Sequence, residues 1–210
     1  MLAWKRNQIF SKKKTGHILD FGCGTGDFLE FMGRNGWEAY GVEPAAEARK
    51  KALEKNTNVV ERLEDLPHTK FDIITLWHVA EHIHELDKKI QDLKSKLNTG
   101  GCFFIAVPNH QSFDAKKYKE YWAGYDVPRQ LWHFSQQAMK QLFAKNGISF
   151  VETQPMLLDA LYISYLSETY RAKTKSKTIA LLQGIWTGIK SNILARKDFN
   201  YSSVLYIGRV

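Results

Sequence analysis

Asp20-Phe21-Gly22-Cys23-Gly24-Thr25-Gly26 is the stretch on which the fold turns. It completes a short apolar run, residues 17–21 (HILDF), and precedes a helical pattern over residues 27–35. There Phe28, Leu29, Phe31 and Met32 share one side, and Gly36 is the stop. Strand, glycine turn and helix in that order put the turn at the carboxyl end of the strand, where ligands bind in open α/β sheets. Glycine lets the backbone turn sharply there and approach a ligand that a Cβ would block. The spacing is G-x-G-x-G. The dinucleotide fingerprint is G-x-G-x-x-G, so a nicotinamide-dependent oxidoreductase is the weaker fit and stands as an alternative.

The strand–helix alternation continues downstream. Residues 39–42 read as a second strand closed by Glu43-Pro44, 45–55 as a helix, and 59–60 as the start of a weak third strand. Residues 71–76 (FDIITL) read as a fourth strand. An amphipathic helix over 86–97 ends at Asn98-Thr99-Gly100-Gly101, and 102–107 (CFFIAV) form a fifth strand. Strands joined by helices of this length imply right-handed crossovers and a mostly parallel sheet. Glu43 stands at the end of the second strand, where a carboxylate can accept both hydroxyl hydrogens of a ribose. A solvated surface glutamate is the plainer alternative.

Beyond residue 109 the rhythm changes. Residues 110–134 are rich in Tyr, Trp and Lys and have no clear period. Ser135 suits the N-cap of a helix running to Asn146-Gly147. Residues 148–153 alternate as a strand, 155–202 read as basic and helical, and 203–208 (SVLYIG) form a last strand. One domain, 1–210, with two inserted segments, 110–134 and 155–202, is the simplest organisation.

Composition sets limits. The chain has 210 residues, 44% hydrophobic and 25% charged, with a formal net charge of +8. That length suffices for one α/β domain with a sizeable core. No apolar run approaches the roughly 20 residues of a membrane span, and the start of the chain has no stretch of signal-peptide type. Cys23 and Cys102 lie far apart outside any metal-type cluster, which leads us to expect reduced thiols and a cytoplasmic protein. The basicity is local: residues 171–197 hold seven Lys or Arg and no Asp or Glu.

DFGCGTG, GVEP, FDIITLWHVAEHI and LNTGGCFFIAVPN together resemble the successive motifs of class I S-adenosylmethionine-dependent methyltransferases. The nearest likeness is to the ubiquinone-biosynthesis-like O-methyltransferases and the group called methyltransferase type 23. It is strong over residues 16–109 and weaker over 129–153. The resemblance implies a Rossmann-like, seven-stranded, mostly parallel sheet of order 3-2-1-4-5-7-6 with helices on both faces, and S-adenosyl-L-methionine as cofactor. It also implies roles by position. Asp20 and the turn glycines Gly22, Gly24 and Gly26 would face the methionine part, and Glu43 the ribose. Leu63 would offer backbone contact to adenine, and Leu76 and Trp77 would lie beside the methionine moiety. Two departures stand out. Relatives often carry an acidic residue just before the position of Leu63, and this chain has Arg62. Relatives also carry more chain before the first strand, often capping helices, so either the chain is truncated here or the inserted segments cap the site.

The expected reaction is methyl transfer to a small-molecule acceptor, with oxygen the preferred atom. A base is needed when a hydroxyl must lose its proton. The segment 77–85, WHVAEHIHE, follows the fourth strand and holds three histidines and two glutamates. His82 is the first candidate base and His133 the second; a dedicated metal site is not expected. Tyr118, Tyr121, Trp122, Tyr125 and Trp132 are expected to line the acceptor pocket, or else to form the apolar side of a lid.

Residues 178–194 put Ile179, Leu182, Ile185, Trp186, Ile189 and Ile193 on one helical face, flanked by Lys173, Lys175, Lys177, Lys190, Arg196 and Lys197. The reading favoured here is a helix packed on its own domain. Peripheral membrane contact through 173–197 is the next reading, and nucleic acid is the weakest partner. A catalytically silent cofactor-binding subunit acting as partner or membrane adaptor remains a second function class.

Overall fold

Hydrophobic strands alternating with helices assemble into one sheet between two helical layers. The computed structural model describes residues 1–55, 57–67, 70–171 and 176–210. In chain order its main elements are α1 (Leu2–Phe10), β1 (Gly16–Phe21), α2 (Asp27–Arg34), β2 (Trp37–Val42), α3 (Ala46–Leu53), β3 (Asn58–Val60), β4 (Phe71–Trp77), α4 (Leu86–Ser95) and β5 (Leu97–Pro108). They continue with α5 (Phe113–Tyr118), α6 (Gln136–Lys145), β6 (Ser149–Pro155), α7 (Leu157–Arg171), α8 (Lys177–Leu194) and β7 (Ser203–Arg209).

The sheet order is β3-β2-β1-β4-β5-β7-β6, as the resemblance implies. The pairs from β3 to β5 are parallel, and β7 runs antiparallel to both β5 and β6. A parallel sheet is covered on both faces, so its strands are apolar on both sides. Along β5 the side chains alternate with period two. Phe103, Ile105 and Val107 join the core under one helical layer, with Leu19, Ile74 and Leu76. Cys102, Phe104 and Ala106 join the other, with Ile18, Ile73 and Leu29.

Three local readings change. Asn98-Thr99-Gly100-Gly101 does not stop a helix: α4 ends earlier, and these residues bulge out within β5. Phe71 pairs with Leu97, but Ile73 pairs with Cys102. Gly100, at φ +79°, supplies the left-handed conformation this needs. Residues 2–10 form a helix that the apolar pattern did not announce, because Leu2, Trp4, Ile9 and Phe10 make no 3.6-residue stripe. Tertiary packing holds it, with Ile9 fully buried against the sheet.

The third change concerns α7 and α8, which pack against each other as a hairpin. The face of α8 turned inward consists of Ala180, Gly184, Thr187, Gly188 and Ser191. The apolar stripe read from the sequence faces outward instead, with Leu182 64% and Trp186 69% exposed. The cause is close backbone approach. A Cβ on Gly184 would stand 2.4 Å from the Tyr165 Cα, and one on Gly188 would stand 2.7 Å from the Leu161 Cα. Only small residues allow that contact, so the large ones are left on the other side. Lys173 and Lys175 lie outside the described residues.

Candidate functional site

The carboxyl ends of β1, β2 and β4 meet at the glycine turn. Gly22, Gly24 and Gly26 all take positive φ, +78°, +55° and +75°, a region other residues rarely adopt. Their surroundings differ. A Cβ on Gly22 would meet Val79 at 2.5 Å, and one on Gly26 would meet Ala52 at 2.8 Å. Those two glycines let the turn pack against its own protein. Beside Gly24 there is open space, with nothing within 4 Å of an added Cβ. Gly24 therefore edges a cradle.

Glu43 closes that cradle from the end of β2. It is nearly buried, yet its carboxylate has partners: Oε2 accepts from the Gly24 N–H at 2.8 Å and Oε1 from the Ala45 N–H at 2.9 Å. Two backbone donors offset the cost of desolvating the charge. Asp20 is buried at the end of β1, where Oδ1 accepts from the Thr75 hydroxyl at 2.6 Å. Burial pushes its pKa up to about 6, and Glu43 adds to that; the Thr75 hydrogen bond and the Lys5 charge pull the other way. The Cys23 thiol within the turn is pushed up to about 12, first by burial and then by Asp20 and Glu43, so it stays neutral.

The strand-end residues divide by face. Leu63 and Leu76 are buried in the core with Leu19, so they can offer a ligand only their backbones. Trp77 is buried on the opposite face, edge-on to Phe28 and Trp4. Arg62 points into solvent beside Glu61, 3.8 Å away.

Lys5 is the residue that sequence reasoning missed. From α1 its ammonium sits 4.3 Å from the Trp77 ring centroid. Burial lowers its pKa, against the pull of the Asp20 and Asp159 carboxylates. Its only sequence signal was a basic residue in a short segment before the first strand.

Next to the cradle lies a pocket of about 360 Å³. The segment after β4 lines it with His78, Glu81 and His82, and α7 with Asp159, Tyr162 and Tyr170. The insert 110–134 lines it with Gly124, Asp126 and Arg129 and is held over the site by its backbone: the N–H groups of Leu131 and Trp132 donate to the Glu81 carbonyl. A wider groove of about 570 Å³ between α4 and α6, lined by His84 and Trp132, contains none of the strand-end residues.

Inside the pocket, His78 lies between two acids. Nε2 is 2.9 Å from Asp159 Oδ2, and Nδ1 is 3.5 Å from Glu81 Oε1. Burial alone would lower its pKa, but the two carboxylates outweigh burial and push it up to about 9. The imidazolium thus predominates at neutral pH. Glu81 is fully buried; Oε1 faces the His78 ring, and Oε2 has no hydrogen-bond donor among the described residues. His82 Nδ1 is 2.8 Å from the Arg129 carbonyl. A carbonyl only accepts, so Nδ1 carries the hydrogen and Nε2 keeps its lone pair. His133 places Nε2 3.1 Å from the Tyr125 carbonyl; both rings are exposed, but only His82 lines the pocket.

The aromatic residues of the insert do not line this pocket. Tyr118 and Trp122 are fully buried in a small core of their own with Ala115 and Ile163. Their polar atoms reach distant acids: Tyr118 Oη donates to Glu168, and Trp122 Nε1 to Asp114. Tyr118 and Trp122 pack the insert against α7, while Tyr121 and Trp132 are exposed.

Comparison with known proteins bears on the family and the fold. A ubiquinone biosynthesis O-methyltransferase of Actinobacillus pleuropneumoniae is 34% identical over 119 residues, 50% of this chain and 49% of that protein. The chain thus matches about half the length of that curated relative. A SAM-dependent methyltransferase from Archaeoglobus fulgidus superposes with a TM-score of 0.62 at 23% identity, covering 100% of this chain and 92% of that one. A Haemonchus contortus phosphoethanolamine N-methyltransferase 2 in complex with S-adenosyl-L-methionine does so with 0.63 at 21%, covering 98% and 51%. Those two likenesses show the fold. The family model described as a methyltransferase domain matches residues 2–153, and the chain belongs to that family.

Proposed function

We propose that this chain transfers a methyl group from S-adenosylmethionine to a hydroxyl of a small acceptor. The observation that carries the reading is the cradle at Gly24, open to a ligand and closed by Glu43 at the end of β2. When bound, S-adenosylmethionine would supply an electrophilic methyl on a sulfonium, with the neutral thioether as leaving group.

The chain's own residues bind and orient. The Glu43 oxygens, each with lone-pair capacity beyond one backbone N–H, take the ribose hydroxyls. Asp20 faces the methionine ammonium and Lys5 its carboxylate. The acceptor would lie in the pocket beside His82, whose Nε2 would take the hydroxyl proton. The insert 110–134 and α7 exclude water.

Calorimetry with S-adenosylmethionine, followed by turnover of labelled methyl donor against a panel of hydroxyl acceptors, tests this. Micromolar cofactor binding with labelled methylated product is expected. Saturable NAD binding in place of S-adenosylmethionine would return the site to a nicotinamide enzyme. Tight cofactor binding without turnover on any acceptor would favour the silent subunit. One observation supports a second reading, methylation of an amine: the two carboxylates Glu81 and Asp159 share a single imidazolium, His78, and the remaining negative charge would attract a protonated amine and take up its proton. Amines in the same panel decide between the two.

A further inference from the structure

The hairpin of α7 and α8 is inverted relative to a helix pair built to sit in water. Twelve of the twenty large hydrophobic side chains exposed on the protein lie between Leu157 and Leu194. On α8 the outward set is Leu181, Leu182, Ile185, Trp186, Ile189 and Ile193. Its inward set is small or hydroxylated, and so are Ala160 and Ser164 where α7 meets the α8 glycines. Contiguous exposed apolar surface of this extent on a soluble domain marks an interaction face.

Charge identifies the occupant. α8 contains no Asp or Glu. The two acids of α7 point inward: Asp159 meets His78, and Glu168 is buried against Tyr118 and Lys117. Along α7 and α8 the outward surface therefore presents no carboxylate, while Arg171, Lys177 and Lys190 are exposed on it or at its ends; Arg196 and Lys197 follow α8, next to the exposed Asp198. Trp186, the most exposed apolar side chain of α8, sits among them.

We propose that this hairpin docks the protein on an anionic lipid bilayer, with α8 lying in the interface. Its apolar side chains enter the headgroup–acyl boundary, Trp186 anchors there, and the flanking cations meet the lipid phosphates. At 18 residues α8 is about 27 Å long, and among the described residues no helix is long and apolar enough to cross a membrane. The helix lies on the bilayer and does not span it. A second copy of the chain fits the face poorly, because a two-fold contact would set Lys177 and Lys190 of each copy against like charges with no carboxylate opposite.

Vesicle flotation of the full chain tests this. Expected is binding to phosphatidylcholine vesicles containing about a third phosphatidylglycerol, weak binding to pure phosphatidylcholine, and release by high salt. Leu182→Ser with Trp186→Ser should reduce partitioning by about tenfold or more. Lys177→Glu and Lys197→Glu should each reduce it by roughly fivefold or more. These side chains point outward, so the thermal midpoint and cofactor affinity should hold. In the wild type, acyl-chain-brominated lipid should quench part of the tryptophan emission, and Trp186→Ser should remove that part. The proposal falls if wild-type protein does not float with phosphatidylglycerol vesicles, or if the Leu182/Trp186 variant floats as well as wild type. It also falls if sedimentation velocity shows self-association that this variant abolishes while vesicle binding is absent.

Discussion

The glycine turn and α8 each announced themselves by a local pattern, and only one pattern said which way it faced. At the turn, glycines between a strand and a helix leave the backbone little choice. The three positive φ angles and the open space at Gly24 follow from residue type. On α8 the apolar stripe is as regular, and a packed helix was the natural reading, yet the stripe faces solvent. A hydrophobic period shows that a helix has two faces; it does not show which one the rest of the chain covers. The informative residues were the small ones opposite the stripe, whose missing side chains let α7 approach to backbone contact.

The largest effect tests the turn's half of the comparison, where local pattern led to a site. His82 Nε2 carries the free lone pair in the acceptor pocket. His82→Gln should cut turnover by about 10²–10⁴-fold, the usual contribution of a general base, with little change in cofactor affinity. The measurement is a pH–rate profile of both forms. A variant with a near-normal rate and unchanged pH dependence would leave catalysis to alignment alone.

The next tests the hairpin directly. Gly184→Val would drive a side chain into the Tyr165 backbone and should cost about 3 kcal/mol, the upper range for overpacking. Ile185→Ser, one residue away on the outward face, should change stability by no more than about 0.5 kcal/mol. Denaturant titration of both variants decides. Equal losses would mean that the stripe is buried in solution and that α8 faces the other way.

Most strands were legible because buried parallel strands read as short apolar runs and the helices between them carry their own stops; the sheet order came from the family resemblance. The placement of the glycine turn and of Glu43 at strand ends was legible because these are local features, whereas Leu63, Leu76 and Trp77 were singled out by the resemblance. The rest depends on contacts between distant residues. Lys5 matters only because α1 folds over Trp77. His78 was one of three histidines in a row until Asp159, 81 residues away, was placed beside it. Tyr118 and Trp122 looked like pocket walls because aromatic composition does not distinguish a lining from a core.

Glu43→Ala should weaken S-adenosylmethionine binding by about 1.5–3 kcal/mol, the range for hydrogen bonds to a charged group. Glu43 also accepts the Gly24 N–H, so the same change frees the turn in the unliganded protein. Calorimetry paired with a thermal scan separates the two effects. A lower melting temperature with unchanged affinity would make Glu43 a brace for the turn and no more.

The smallest effect is a pH dependence, and its sign follows from Asp20. Burial raises this carboxyl from its ordinary value of 3.8 to about 6, so folding disfavours its ionised form. Stability from this group is greatest below the unfolded value and is lost as pH rises through the folded one, a cost of roughly 3 kcal/mol at neutral pH. A bound methionine ammonium would favour the ionised carboxylate and lower its pKa, so cofactor binding would release a proton wherever the free protein still holds it. Affinity should therefore be flat above about pH 6 and fall by up to about tenfold per pH unit below it. Asp20→Asn should remove that slope, bind more weakly at neutral pH, and raise the unfolding midpoint of the unliganded protein. Calorimetric titrations from about pH 7 to about pH 5 measure the slope. An identical pH dependence in wild type and Asp20→Asn would show that Asp20 does not face the cofactor's charge, and that its burial at the end of β1 serves the fold through Thr75.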